Sequence, residues 1–120
     1  MTVQGSRVLV IEDEALVGML LEDMLQDLGC ASVELVSRFD EGLKAADSGD
    51  FDVAVLDVNL DGVISFPIAE RLIARNIPLV FSTGYGSLGM DPSYAHIPTL
   101  QKPFFFGDLE RAIQQALAAA

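Results

Sequence analysis

Basic residues are scarce in this sequence. Its 120 residues include 7 Lys and Arg against 18 Asp and Glu, for a formal net charge of -11 at pH 7. The whole excess of negative charge lies in residues 1–61, and residues 62–120 are neutral. Nucleic acids and anionic membranes bind proteins through basic patches, so we expect neither of them as a partner. A cation site or a basic protein surface is the better electrostatic match.

Cysteine, histidine and long apolar runs are scarce too. The single Cys30 excludes an internal disulfide and favours a reducing compartment, so we expect a cytoplasmic protein in which Cys30 is a small buried side chain. The single His96 lacks a second residue spaced to bind a metal with it. No apolar stretch is long enough to cross a bilayer, and residues 1–7 do not resemble a secretory signal.

Apolar residues are abundant at 51%, which is ample for one domain spanning residues 1–120. Short β-branched runs predict strands at 7–11, 32–36, 52–56, 79–81 and 99–101. Helical periodicity predicts helices at 16–28, 39–46, 65–75 and 108–118, with Gly29 and Ser65 as caps. The alternation predicts an α/β fold, a doubly wound five-stranded parallel sheet with the flavodoxin-like strand order 2-1-3-4-5.

One connection of this sheet is weakly defined. Residues 84–98 contain several glycines and Pro92, and they show no clear apolar periodicity. We therefore predict that the helix between the fourth and fifth strands is short, disordered or missing, and that the segment is mobile.

Polar side chains follow four of the predicted strands. They are the acidic triplet Glu12-Asp13-Glu14, Asp57, Thr83 and Lys102. The carboxyl ends of the strands converge on one crevice in such a sheet, and ligands bind there. Carboxylates crowded in this way repel one another and are stable only with a cation among them. Plainer interpretations stay open, namely helix capping by Glu12 and Asp13, a turn carboxylate, a strand-end threonine and a surface lysine.

Residues 57–62 also match the opening of a calcium-binding EF-hand loop. The twelfth position of such a loop holds a bidentate Glu, and here it is Ile68. The segment before Asp57 is moreover a predicted strand, where an EF-hand has a helix. Both differences disfavour the EF-hand interpretation.

A phosphatase of the haloacid dehalogenase type would likewise place a nucleophilic Asp after a strand, followed by a Thr or Ser and a Lys. Such enzymes need a second Asp two residues on as acid and base, and the amide of Asn59 cannot shuttle a proton. A small Mg²⁺-dependent phosphohydrolase of this type is the second hypothesis. A flavin carrier is weaker, because acids occupy the crevice where a flavin phosphate would need amides and hydroxyls.

The four polar positions, taken in register, resemble the receiver domain of two-component response regulators, and the resemblance covers nearly the whole chain. Residues 80–86 (VFSTGYG) and 100–104 (LQKPF) are most similar to the alphaproteobacterial subgroup named for its Phe-Ala-Thr-Gly motif. Ser82 stands where that motif has Ala, which is a small-for-small change. The expected product is a stand-alone receiver or a piece of a larger protein.

This resemblance implies a phosphoacceptor signalling domain rather than a turnover enzyme. It implies that Asp57 accepts a phosphoryl group from a sensor histidine kinase or a phosphotransfer protein. It implies that Lys102 and Thr83 bind phosphoryl oxygens, and that movement of Thr83 carries the signal. The implied cofactor is Mg²⁺, and its implied site comprises Asp13, Asp57, the backbone carbonyl of Asn59 and, through water, Glu12.

The chain departs from the receiver pattern at one position of the fifth strand. Receivers usually carry an aromatic residue three positions before the lysine, and here that residue is Thr99, so we take Tyr85 as the substitute switch residue.

We expect a cis bond before Pro103. Of the following residues 104–106, all Phe, at least one should be exposed, so we expect a downstream protein partner over the fifth strand and last helix. The acidic first helix is the expected docking edge for a kinase.

Overall fold

The structure is a computed structural model that describes residues 2–84 and 90–119. Its strands are β1 (Arg7–Ile11), β2 (Ser32–Val36), β3 (Val53–Asp57), β4 (Asn59–Leu60), β5 (Val63–Ile64), β6 (Leu79–Thr83) and β7 (Thr99–Gln101). Its α-helices are α1 (Ala15–Asp27), α2 (Phe39–Ser48), α3 (Phe66–Ala74) and α4 (Phe106–Ala118), and a 3-10 helix covers Pro92–Tyr94.

A five-stranded parallel sheet lies at the centre of the described residues, in the order β2-β1-β3-β6-β7. The two remaining strands, β4 and β5, pair antiparallel as a short hairpin between β3 and α3. With the hairpin strands left out of the numbering, this is the order 2-1-3-4-5, so the predicted fold class is confirmed. The central strands β1, β3 and β6 are buried almost throughout, as apolar runs covered by helices on both faces should be.

Two apolar clusters cover the two faces of the sheet, because side chains alternate across each strand. One cluster joins α1 and α4 to Val8, Val10, Val53, Val55 and Val80. The other joins α2 and α3 to Leu9, Ile11, Ala54, Leu56 and Phe81. Each fully buried large aliphatic side chain stabilises the fold by about 2 kcal/mol. With both faces covered by apolar contacts, the strand ends are where polar side chains can gather.

The connection between β6 and β7 contains the short 3-10 helix where the sequence predicted a short or missing helix. Tyr94 in this helix is buried, with its ring centroid 5.0 Å from that of Phe66 and 5.5 Å from that of Phe81. Its hydroxyl donates to Glu70, and burial together with this bond raises the pKa of Tyr94 to about 12. A single aromatic anchor has no periodicity, so the sequence pattern missed it. The predicted mobility of residues 84–98 stays a prediction, and five of these residues, 85–89, lie outside the described residues.

Several local expectations were wrong. The helix α4 begins at Phe106, two residues early, and α2 continues to Ser48. Cys30 is half-buried rather than buried, because it lies in the turn after α1, where its thiol is 3.7 Å from the carbonyl oxygen of Val3. In α1, Leu16 is 82% exposed although it shares the helical spacing of the core leucines. A membrane-crossing helix, with enough length and apolar character, is absent from the part of the chain that the structure describes.

Candidate functional site

The ends of β1 and β3 hold two acids side by side. These strands are parallel with Ile11 opposite Leu56, so the following residues, Glu12 and Asp57, are neighbours. One carboxylate oxygen from each of Glu12, Asp13 and Asp57 lies within 4.8 Å of the other two. Glu12 is 2% exposed and Asp57 is 5% exposed. Two of the three carboxyl groups are therefore withdrawn from water, and in this less polar environment the repulsion between their charges is strong.

Lys102, just after β7, brings a positive charge to this cluster. Its Nζ lies 2.7 Å from Glu12 Oε1, 3.0 Å from Asp57 Oδ2 and 3.6 Å from Glu14 Oε1. Burial alone would lower the pKa of Lys102, but its bonds to Glu12 and Asp57 outweigh burial and raise it above the ordinary value. The ammonium is therefore charged, and it offsets part of the carboxylate repulsion. The bond between Lys102 and Pro103 is cis, as the sequence led us to expect.

Glu12 is the most perturbed acid of the cluster. Burial raises the pKa of Glu12 to about 7, and its hydrogen bond with Asp57 adds to the rise, while Lys102 opposes it. Its Oε2 accepts the backbone N–H of Glu14 at 3.1 Å. Without a metal ion, Glu12 therefore exchanges a proton near neutral pH. A cation that entered the site would compete with that proton.

The hairpin after β3 forms one wall of the site. Its turn residues Asp61 and Gly62 both have positive φ, at 51° and 88°, as a two-residue type I′ turn requires. The backbone N–H of Asp61 donates to Asp13 Oδ2 at 3.0 Å, and that of Gly62 donates to Asn59 Oδ1 at 2.7 Å. The residues that suggested an EF-hand loop are thus a strand end and a hairpin. The side chain of Asn59 is occupied in the turn, which also disfavours a catalytic role for it.

The remaining predicted residues lie at the same edge of the sheet. Thr83 ends β6, is buried, and accepts the N–H of Lys102 on its backbone oxygen at 2.9 Å. A cavity of about 350 Å³ is lined by Asp13, Glu14, Asp57, Asn59, Asp61, Thr83, Gly84 and Lys102. Glu12 is not among the residues that line this cavity, but it contacts Lys102, which is. Tyr85 lies outside the described residues.

Sequence reasoning missed Asp61, whose N–H bonds Asp13, and it missed the side-chain contact of Ser65. The sequence predicted Ser65 as the N-cap of α3, and it does precede that helix. Its hydroxyl instead donates to the main-chain oxygen of Asp57 at 2.5 Å. Nothing in the local sequence separates a capping serine from one that bonds a residue eight positions earlier. The difference depends on the path of the hairpin.

The donor set of this cluster suits a hard divalent cation. Carboxylate oxygens dominate it, and these are the ligands that Mg²⁺ and Ca²⁺ prefer over nitrogen or sulfur. Mg²⁺ usually binds proteins through one or two carboxylates and keeps several waters, and the open cavity beside Asp13 and Asp57 leaves room for them. The residues present therefore fit a Mg²⁺ site.

Comparison with known proteins identifies the family. The family model described as the response regulator receiver domain matches residues 8–114. The transcriptional regulatory protein TcrA of Mycobacterium tuberculosis is 35% identical over 88 residues, which is 72% of this chain and 34% of TcrA. The chain therefore spans about a third of this relative. These matches favour a receiver over the phosphohydrolase hypothesis.

Solved structures agree with this match. SdrG from Sphingomonas melonis Fr1 is 39% identical with a TM-score of 0.85, over 98% of this chain and 99% of that one, and it fits the predicted subgroup. The receiver domain of the sensor histidine kinase PA1611 from Pseudomonas aeruginosa PAO1 is 24% identical with a TM-score of 0.81, over 95% and 98% of the two chains. At that identity the similarity establishes the fold alone. The PA1611 crystal structure has a magnesium ion coordinated in its active-site cleft.

Proposed function

This chain belongs to the response regulator receiver domain family, and from that membership we propose that Asp57 accepts a phosphoryl group from a histidine kinase or a phosphotransfer protein. A receiver domain is a signalling domain, and we take residues 1–120 as one such domain acting in the cytoplasm. The observation that carries the proposal is the buried Asp57 carboxylate, held 3.0 Å from Lys102 among the acids at the carboxyl edge of the sheet.

The proposed reaction is an in-line displacement at phosphorus. A carboxylate oxygen of Asp57 forms a bond to phosphorus, and the bond from phosphorus to the leaving group breaks. With a phosphohistidine donor the electron pair goes to the imidazole nitrogen, which then takes up a proton. With acetyl phosphate the pair goes to acetate. Asp57 becomes an acyl phosphate, which water later hydrolyses to restore the carboxylate and release phosphate.

Mg²⁺ is the proposed cofactor, and when bound it would cancel the repulsion between the carboxylate and the anionic donor. Asp13 and Asp57 would hold it with the backbone carbonyl of Asn59, and Glu12 would act through water. The acid cluster and the magnesium ion in the PA1611 receiver support this assignment. The ionised form of Glu12 is the form that favours the cation.

Lys102 and Thr83 are the proposed phosphoryl-binding residues. Lys102 is already charged and bonded to Asp57, so it can exchange a carboxylate oxygen for a phosphoryl oxygen without leaving the site. Thr83 lines the same cavity and ends the neighbouring strand, so a hydrogen bond from its hydroxyl to a phosphoryl oxygen would pull on the β6–β7 connection. Tyr85, two residues further on, is the proposed aromatic switch residue.

The proposed kinase contact combines the acidic α1 with an apolar patch. Leu16, Met19 and Leu20 are exposed on α1, and Phe105 is 80% exposed in the connection from β7 to α4. Glu14, at the start of α1, lies 3.6 Å from Lys102, which is three residues before Phe105, so both regions border the site. Such a patch supplies the apolar contact that a docking partner needs. A downstream partner is proposed over β7 and α4.

Acetyl phosphate with Mg²⁺ tests the proposal directly. The intact mass should rise by one phosphoryl group, and the rise should vanish in Asp57→Asn. Asp61→Asn is the matched control, because Asp61 lines the same cavity and should not accept the group. Labelling of Asp57→Asn at the normal rate would refute the assignment. Catalytic release of phosphate from small esters would instead support a phosphohydrolase.

A further inference from the structure

Ser65 closes the base of the hairpin that follows Asp57. Its hydroxyl donates to the main-chain oxygen of Asp57 at 2.5 Å, and its N–H donates to the oxygen of Val58 at 2.9 Å. Ser65 is fully buried, so both bonds are shielded from competition with water. The two bonds tie the start of α3 to the phosphoacceptor residue and its neighbour.

The helix α3 has little need of this hydroxyl. A capping hydroxyl accepts the N–H of the second or third helical residue. The second residue of α3 is Pro67, which has no N–H, and the N–H of the third, Ile68, bonds to the backbone oxygen of Ser65 at 2.9 Å. The serine side chain is thus available to Asp57.

We infer that Ser65 is a positioning residue for the phosphoacceptor and the proposed metal site, an inference that rests on the proposed function. The Asp57–Val58 peptide precedes Asn59, whose N–H donates to Asp57 Oδ1 at 3.2 Å. Two residues further on, the N–H of Asp61 donates to Asp13. The Ser65 hydroxyl fixes the first peptide of this segment. It thereby sets the direction of the Asp57 carboxylate and the distance of the hairpin from Asp13.

The chain offers a matched control in Ser82. Ser82 is the register partner of Asp57 on β6 and is 1% exposed. Its hydroxyl has no hydrogen-bond partner among residues 2–84 and 90–119. Ser82→Ala therefore removes a buried hydroxyl beside Asp57 without removing a bond, whereas Ser65→Ala removes the bond to the Asp57 carbonyl.

The experiment compares Ser65→Ala and Ser82→Ala with the parent protein, each at a temperature where it is fully folded. Mg²⁺ affinity is measured by calorimetry, and the rate of mass gain is measured with acetyl phosphate at saturating Mg²⁺. Ser65→Ala should weaken Mg²⁺ binding by about tenfold, the usual effect of losing a residue that orients a metal ligand, and should slow labelling. Ser82→Ala should remain within about twofold of the parent on the same scale.

The chemical shift of the Asp57 carbonyl carbon is a readout that general destabilisation does not move, and amide exchange adds a measure of local opening. In Ser65→Ala the carbonyl carbon resonance of Asp57 should shift upfield because a hydrogen bond is lost, and the amides of Asn59 and Asp61 should exchange faster. Equal Mg²⁺ affinity, labelling rate and exchange in Ser65→Ala and Ser82→Ala would overturn the inference. If the parent protein binds Mg²⁺ but never gains a phosphoryl group, the proposed function fails. The Mg²⁺ affinities and exchange rates then still test the positioning role of Ser65.

Discussion

The β3–α3 and β6–β7 connections both leave the carboxyl edge of the sheet, and different forces hold them. The connection from β3 to α3 is tied to the site by polar bonds, through the Asp61 N–H to Asp13 and the Ser65 hydroxyl to Asp57. The connection from β6 to β7 is held by apolar packing, through the ring of Tyr94 between Phe66 and Phe81. The first should therefore respond to Mg²⁺ binding, whereas the second should mainly set stability until Thr83 bonds to a phosphoryl oxygen.

Removing the aromatic anchor should break the second connection alone. Tyr94→Ala should lower the free energy of unfolding by about 3 kcal/mol, because a large buried ring leaves a cavity. Tyr94→Phe keeps the ring and loses the bond to Glu70, so it should cost about 1 kcal/mol. Urea denaturation measures both. Mg²⁺ affinity should stay within about twofold of the parent for both variants, which is below the effect of losing a ligand-orienting residue. A large loss of Mg²⁺ affinity in Tyr94→Ala would mean that the two connections are not independent.

Changing the pH should alter the Mg²⁺ affinity of the acid cluster, which the β3–α3 connection borders. Because burial raises the pKa of Glu12 to about 7, stability from Glu12 in the metal-free protein is fully present below its ordinary pKa and is lost as pH rises through 7. Mg²⁺ favours the ionised form, so its affinity should fall about tenfold, or about 1.4 kcal/mol, from pH 8 to pH 6.

The readout is the rise in melting temperature on adding Mg²⁺, which should be larger at pH 8 than at pH 6. Glu12→Gln cannot ionise and is the control, so its Mg²⁺ response should vary less over the same range. An equal response of the parent protein at both pH values would show that ionisation of Glu12 does not control Mg²⁺ affinity.

Straining the hairpin turn should have the smallest effect on stability. Gly62 has a φ of 88°, and among the described residues other than its chain neighbours no heavy atom lies within 4 Å of the position its Cβ would take. Gly62→Ala therefore costs only backbone strain of about 1 kcal/mol. Thermal unfolding measures the loss, and calorimetry should find weaker Mg²⁺ binding as the Asp61 N–H shifts from Asp13. Gly107→Ala, inside α4, is the control and should not destabilise the protein. Unchanged Mg²⁺ affinity in Gly62→Ala would separate the turn from the metal site.

Much of the site was readable from the sequence because its main residues end or directly follow a strand of the sheet. Glu12, Asp57 and Lys102 follow apolar runs, and parallel strands deliver such residues to one edge. The Ser65 hydroxyl bond and the packing of Tyr94 were missed for a common reason. Each residue makes its decisive contact with a residue on another element, and neither contact leaves a period or motif in the neighbouring residues.

Local sequence patterns thus predicted the helices and strands, their alternation and the gathering of acids at one edge. They could do so because burial repeats with the period of the strand or helix. The registers of β1 with β3 and of β3 with β6, the path of the hairpin and the direction of each side chain were settled only in three dimensions. Those features depend on contacts between residues far apart in the chain, where one serine hydroxyl can reach a helix amide or the carbonyl of Asp57. Packing of the whole chain selects which of these two hydrogen bonds forms.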